Sequence, residues 1–194
     1  MIVRLASPSD APGVQAIYAP YVRDTSVSFE TEPPTVADVA ERIAAAGARY
    51  PWLVADDGGA VAGYAYAGPH RGRAAYQWSA EVSAYVDPTY HRRGIARALY
   101  QALFDVLREQ GFATALAGIT LPNVPSVGFH EALGFRRIAT YPAVGFKHGA
   151  WHDTAWWTLR LGDGAAPEPP RSLGAVARAV ADSLTKASAR IRIV

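Results

Sequence analysis

The sequence contains no cysteine. Disulfides, a thiolate nucleophile and a cysteine-ligated metal are therefore excluded. It also lacks an apolar run long enough to span a bilayer, and its first ten residues hold no apolar stretch of signal-peptide length. A soluble, cytoplasmic protein is the expectation. Charge of one sign is scarce as well: 19 Lys and Arg face 17 Asp and Glu, a formal net charge of +2. There is no basic stripe of the kind nucleic-acid binding needs, and neither a nucleic-acid nor a membrane partner is expected. What the chain does have is apolar content, 50% of its 194 residues. That is enough for one domain with a substantial core and a tail.

Hydrophobic periodicity gives the order of elements. Residues 2–5 read as a strand, and Ser7-Pro8-Ser9-Asp10 as a helix start preceding Val14, Ile17, Tyr18 and Tyr21 at helical spacing. Thr35 and Asp38 mark a second start. Strands at 52–55 and 61–67 flank an Asp-Asp-Gly-Gly turn and form a hairpin. A long alternating strand covers 76–86, with Glu81 on the face opposite Val82 and Val86. A basic loop then leads to a helix ended by Gly111. A strand at 114–119 and a helix from Pro122 to about Leu133 follow, then strands at 135–141 and 154–161 joined by residues 142–153.

The order β-α-α-β-β-β-α-β-α-β-β implies an α/β (α+β) fold, a mixed sheet with helices on both faces. The main domain is expected to span residues 1–161 and a Gly/Ala/Pro/acid linker 162–170. An amphipathic helical extension at 171–194 then packs on the domain, on a partner or on nothing.

The segment that carries most chemistry is the loop between residues 86 and 95. A strand ends, His91, Arg92, Arg93 and Gly94 follow, and a helix begins at Ile95-Ala96-Arg97. Unpaired amides and the dipole at a helix start make an anion site suited to a pyrophosphate. Gly94 permits close approach of the backbone, and the three arginines neutralise charge. The alternative is an ordinary β-loop-α connection with solvated arginines.

His91-Arg92-Arg93-Gly94-Ile95-Ala96 resembles the coenzyme A-binding motif of the GNAT acetyltransferase superfamily, Gln or Arg, two residues, Gly, one residue, then Gly or Ala. His91 stands where Gln or Arg is usual. The Asn123-led segment ending Leu133-Gly134-Phe135 is similar to the superfamily's later motif. Further segments resemble the phosphinothricin N-acetyltransferases and related amino-acid N-acetyltransferases: Phe29-Glu30-Thr31-Glu32-Pro33, Gly63 through Pro69, and Gly145 through Asp153. The likeness runs from about residue 2 to residue 161.

The resemblance implies a GNAT fold, with a mixed, mostly antiparallel sheet, and acetyl-CoA as co-substrate. The substrate would be a small amine such as phosphinothricin, methionine sulfoximine or methionine sulfone, attacked directly, with resistance to such compounds as the outcome. It implies a homodimer and no metal. Glu81 is the candidate general base, or else a structural carboxylate paired to an arginine. His130 is a candidate acid or relay, or else a partly buried polar residue. Tyr85, Val86, Asn123 and Ser126 would meet the cofactor beside the basic loop, although Asn123 also suits a helix cap. Arg71 and Arg73 would bind a substrate carboxylate or phosphinate, with Phe29 and Tyr76 lining the pocket. Such arginines argue against a polycationic aminoglycoside. A peptide N-terminus as acceptor, or a non-catalytic coenzyme A-binding module, are the alternatives.

Overall fold

The computed structural model describes residues 1–162 and 168–191. Residues 163–167 of the expected linker and 192–194 of the expected extension lie outside the described residues.

Among the described residues seven strands form one sheet, in the order β1-β2-β3-β4-β5-β7-β6. They are β1 (Ile2–Leu5), β2 (Trp52–Asp57), β3 (Ala60–Pro69), β4 (Ser79–Val86), β5 (Thr114–Leu121), β6 (Arg136–Lys147) and β7 (Ala150–Arg160). Every neighbouring pair is antiparallel except β4 with β5. Helices α1 (Ala11–Asp24) and α2 (Val36–Ala46) cover one face. On the other lie α3 (Ile95–Gln110) and α4 (Val124–Glu131). The expected mixed, mostly antiparallel sheet with helices on both faces is the architecture found.

Local chemistry explains the element starts. Thr35 and Asp38 exchange hydrogen bonds at the head of α2, as expected of a capping box. Asp10 accepts from the Ser7 amide at 2.8 Å. The first turn there is a 3-10 turn over Pro8–Asp10, however, and the α-helix itself begins at Ala11. Gly111 closes α3 in the left-handed conformation.

β2, β3 and β5 each run one or two residues beyond the bounds expected from the sequence, and two differences are larger. Residues 74–76 form a 3-10 turn, so β4 starts at Ser79 rather than at residue 76. Residues 142–153 are not a loop. β6 and β7 run through most of that stretch as one hairpin, turning on His148 and Gly149, both with positive φ (51° and 74°). A two-residue turn of this hand matches the twist of the strands it joins. An irregularity in register between Tyr141 and Gly145 absorbs Pro142.

The C-terminal segment contains α5 (Ala177–Arg190), which packs on α3 and β1. Val176 and Val180 bury against Val106, while Ala187 and Ile191 join the main core. Ser188 Oγ accepts from the Val3 amide at 2.8 Å, across 185 residues of sequence. Buried Gln110 donates to the carbonyls of Arg49 and Arg171, which fixes where the segment arrives. Of the three placements open to an amphipathic helix here, packing on the domain is the one observed.

Candidate active site

The site is built around the place where β4 leaves β5. The two strands pair only over Ser79–Glu81 against Thr114–Leu116. Beyond Glu81 they part, and the backbone of Val82–Val86 is left without a β5 partner. A narrow slot opens there between Val82–Tyr85 and Gly118–Thr120, bordered by Tyr100, Asn123, Ser126 and His130. It continues into a cleft of ≈ 690 Å³ lined by Tyr85, Val86, His91, Arg92, Gly94, Ile95, Ala96 and Arg97. The residues expected to meet a cofactor thus converge on one cleft, with the exception of Arg93. Arg93 instead lies over the Tyr90 ring, 4.9 Å from its centroid.

The head of α3 carries the anion-binding geometry. Gly94 caps the helix with φ 81°, a conformation open to glycine. The first intrahelical bond runs from the Ala98 amide to the Gly94 carbonyl at 3.0 Å. The amides of Ile95, Ala96 and Arg97 precede it and have no helical acceptor. His91 donates from Nε2 to the Val86 carbonyl at 3.1 Å, tying the basic loop back to β4. Asn123 caps α4, its Oδ1 accepting from the Ser126 amide at 3.2 Å.

Glu81 and His130 lie on opposite faces of the sheet. On β4 Glu81 shares its face with Ser83 and Tyr85, the face that carries α1 and α2. His130 packs among Tyr100, Phe129 and Phe135 on the α3 side and is 7% exposed. Its Nδ1–H donates to the Ser126 carbonyl at 2.8 Å, since a carbonyl can only accept. Nε2 therefore holds the lone pair and accepts from the Tyr100 hydroxyl at 3.2 Å. Burial lowers the pKa of His130, opposed by the hydrogen bond to Ser126. The fully buried Tyr100 hydroxyl is pushed above its ordinary range, also by burial. Both groups are neutral at physiological pH.

Glu81 has a different neighbourhood. Its Oε1 lies 2.8 Å from His70 Nδ1 and 3.7 Å from the Arg71 guanidinium. Arg71 in turn stands over the Trp156 ring, 5.9 Å from its centroid. Tyr76, 41% exposed, meets the His70 ring edge to face. Arg73 is exposed and starts the 3-10 turn that ends in Tyr76. Phe29 sits further along the same face, over Gly145 and 6.3 Å from the His152 ring.

Two participants escaped the sequence reading. Tyr100 reads as one more apolar position of α3, and only the packing of α4 reveals its bond to His130. His70 reads as part of a polar connection, and only the β3–β4 register brings it to Glu81. Lys147 and His148 have structural partners. The Lys147 ammonium is buried and donates to the carbonyls of Val22 and Ser28 at 2.6 and 2.7 Å, and His148 donates to that of Thr25.

The residues that build this forked sheet and its basic, glycine-capped helix start fall within a family match. The Acetyltransferase (GNAT) domain model covers residues 3–156. This chain belongs to the GNAT acetyltransferases.

A phosphinothricin N-acetyltransferase of Streptomyces viridochromogenes is 42% identical over 169 residues, covering 87% of this chain and 91% of the relative. An L-methionine sulfoximine/L-methionine sulfone acetyltransferase of Salmonella typhimurium is 34% identical, covering 87% and 99%. Among solved structures, a GNAT phosphinothricin acetyltransferase of Sinorhizobium meliloti in complex with acetyl-CoA superposes with TM-score 0.80. It is 38% identical, covering 86% of this chain and 91% of that one. This GNAT enzyme is accordingly an N-acetyltransferase, and acetyl-CoA is its co-substrate. Among the described residues no helix is long and apolar enough to cross a membrane.

Proposed function

We propose that this enzyme transfers an acetyl group from acetyl-CoA to the α-amine of a small amino acid bearing a tetrahedral polar side chain. Phosphinothricin, methionine sulfoximine and methionine sulfone are the candidates. The observation that carries the reading is the position of Glu81 at the fork of β4 and β5. There the carboxylate meets the Arg71 cation and, through His70, an aromatic wall of Tyr76 and Trp156, at the point where β4 departs toward the cofactor cleft. Relatives that carry the names of those substrates support the choice.

In this reading the amide groups of Ile95, Ala96 and Arg97, with the side chains of Arg92 and Arg97, hold the pyrophosphate. The unpaired backbone of Val82–Val86 aligns the pantetheine arm. Asn123 spends Oδ1 on its cap, so its side-chain nitrogen is the group that meets the cofactor, beside Ser126. Arg71 and Arg73 draw the substrate's anionic groups, and Phe29 and Tyr76 bound the pocket. Glu81 takes a proton from the substrate ammonium, directly or through one water. The freed amine attacks the thioester carbon, forming the C–N bond. Collapse of the oxyanion then breaks the C–S bond; the nitrogen gives up its second proton, and the sulfur, leaving as thiolate, ends with that proton as the free thiol of coenzyme A. Because His130 is neutral and both its nitrogens are engaged, we assign it to holding the Tyr100 hydroxyl at the slot, ahead of a role as the acid itself.

Acetylation of these analogues would confer resistance to them. A homodimer is also proposed. β6 is an edge strand of twelve residues, and Ile138, Val144, Phe146 and Trp151 on its hairpin are exposed by 52–65%. An apolar edge of this length invites a partner, and a single dimeric mass in light scattering is expected.

Replacing Glu81 by Gln tests the reading. It is expected to lower kcat by roughly 10²–10⁴-fold, the usual contribution of a general base, while coenzyme A binding stays intact. Wild-type turnover in that variant would remove Glu81 from the mechanism.

A further inference from the structure

His70 follows directly on the last residue of β3. In the antiparallel register Gly68 lies opposite Glu81 and Pro69 opposite Ala80, so the chain delivers the imidazole to the carboxylate eleven residues downstream. The His70 side chain is only 15% exposed. Two aromatic contacts fix its ring: Tyr76 at 5.7 Å and 74°, and Trp156 at 5.6 Å and 75°. Trp156 is seated in turn against Gly118, where an added Cβ would come within 3.3 Å of the indole. An imidazole held on two sides has one orientation, and in it Nδ1 stands 2.8 Å from Glu81 Oε1.

We propose that His70 is a positioning residue for the Glu81 base; the proposal rests on the reading of Glu81 as that base. An ionised carboxylate can only accept hydrogen bonds, so Nδ1 carries the proton and donates it. The Arg71 guanidinium approaches the same oxygen, and its NH1 donates to the His70 carbonyl at 3.0 Å. Among the described residues both contacts fall on Oε1. Oε2 is thereby the oxygen presented to the amine, in the way a buried orienting carboxylate fixes a histidine base, with the two roles exchanged.

Two variants test this, with methionine sulfone as acceptor. His70→Phe keeps an aromatic ring between Tyr76 and Trp156 but has no donor. It is expected to lower kcat by about 10- to 100-fold, the loss of one hydrogen bond to a charged group, with KM for acetyl-CoA unchanged. His70→Asn places an amide nitrogen where Nδ1 stood and recovers most of kcat, a rescue that a purely structural role for the ring would not give.

Wild-type kcat in both His70 variants, with Glu81→Gln inactive, would overturn the proposal and leave the base reading standing. A wild-type rate in Glu81→Gln would overturn both. Should His70→Phe fail to fold, His70→Leu takes its place, with the same loss of kcat expected and the same wild-type rate overturning the proposal.

Discussion

The Tyr100 hydroxyl donates to His130 Nε2 across 3.2 Å, between two side chains that are almost wholly buried. The imidazole is the acceptor because its other nitrogen is committed to the Ser126 carbonyl. A proton added to His130 must displace the Tyr100 donor and enter a desolvated site.

His130 is therefore expected to titrate below the ordinary histidine range in an NMR pH titration. The sign for stability follows. In the window between the lowered folded value and about 6.5, where an exposed histidine titrates, the unfolded chain binds a proton that the folded chain refuses. Stability therefore falls as pH drops through that window. His130→Gln, tested by denaturant unfolding at two pH values, should lose this part of the pH dependence. A resonance that titrates at or above the ordinary range would refute the assignment.

Lys147 donates to the carbonyls of Val22 and Ser28 and so fastens the end of α1 and the Phe29 segment to the β6–β7 hairpin. Burial lowers its pKa. Lys147→Met removes a buried donor and leaves two acceptors without it, at an expected cost of about 1–3 kcal/mol. KM for the amine should rise while KM for acetyl-CoA stays the same. Unchanged stability in urea unfolding would contradict the role given to this lysine.

Gly145 leaves the space that Phe29 occupies. A Cβ at residue 145 would fall 2.3–2.8 Å from three atoms of the Phe29 ring, inside van der Waals contact. Gly145→Ala is predicted to push the ring aside and to raise KM for the amine, with acetyl-CoA binding unaffected. An unaltered amine KM would show that Phe29 does not border the substrate.

Helix α5 braces β1 and α3 through Val176, Val180 and the Ser188–Val3 bond. Val180→Asp places a charge in that seam and is expected to destabilise the protein by about 2–4 kcal/mol. A thermal melt identical to wild type would show that α5 is dispensable to the fold. Activity at low temperature should survive, since α5 contributes none of the residues proposed for acetyl transfer.

The sequence was most readable where structure is local. The basic loop, Gly94 and the start of α3 form one contiguous stretch whose chemistry can be stated without a fold. Asn123 and Ser126 at the head of α4 are nearly as local. The middle of the β6–β7 hairpin reads as a connection because Pro142 and Gly145 look like loop residues. An irregular register accommodates both, and the turn signal at His148 and Gly149 is only two residues long. The His70–Glu81 and Tyr100–His130 pairs depend on strand register and helix packing respectively. Neither leaves a mark in residue spacing. The seat of Trp156 on Gly118 likewise exists only once β5 and β7 are paired.

The central claim, acetyl transfer to a small amino acid analogue, is tested most directly by free-thiol release from acetyl-CoA. The amines to compare are phosphinothricin, methionine sulfoximine, methionine sulfone, ordinary amino acids and an aminoglycoside. Release with the first three, and much less with the rest, is the predicted result. Release only with other amines would contradict the substrate assignment, and coenzyme A binding with no release on any amine would contradict the account as a whole.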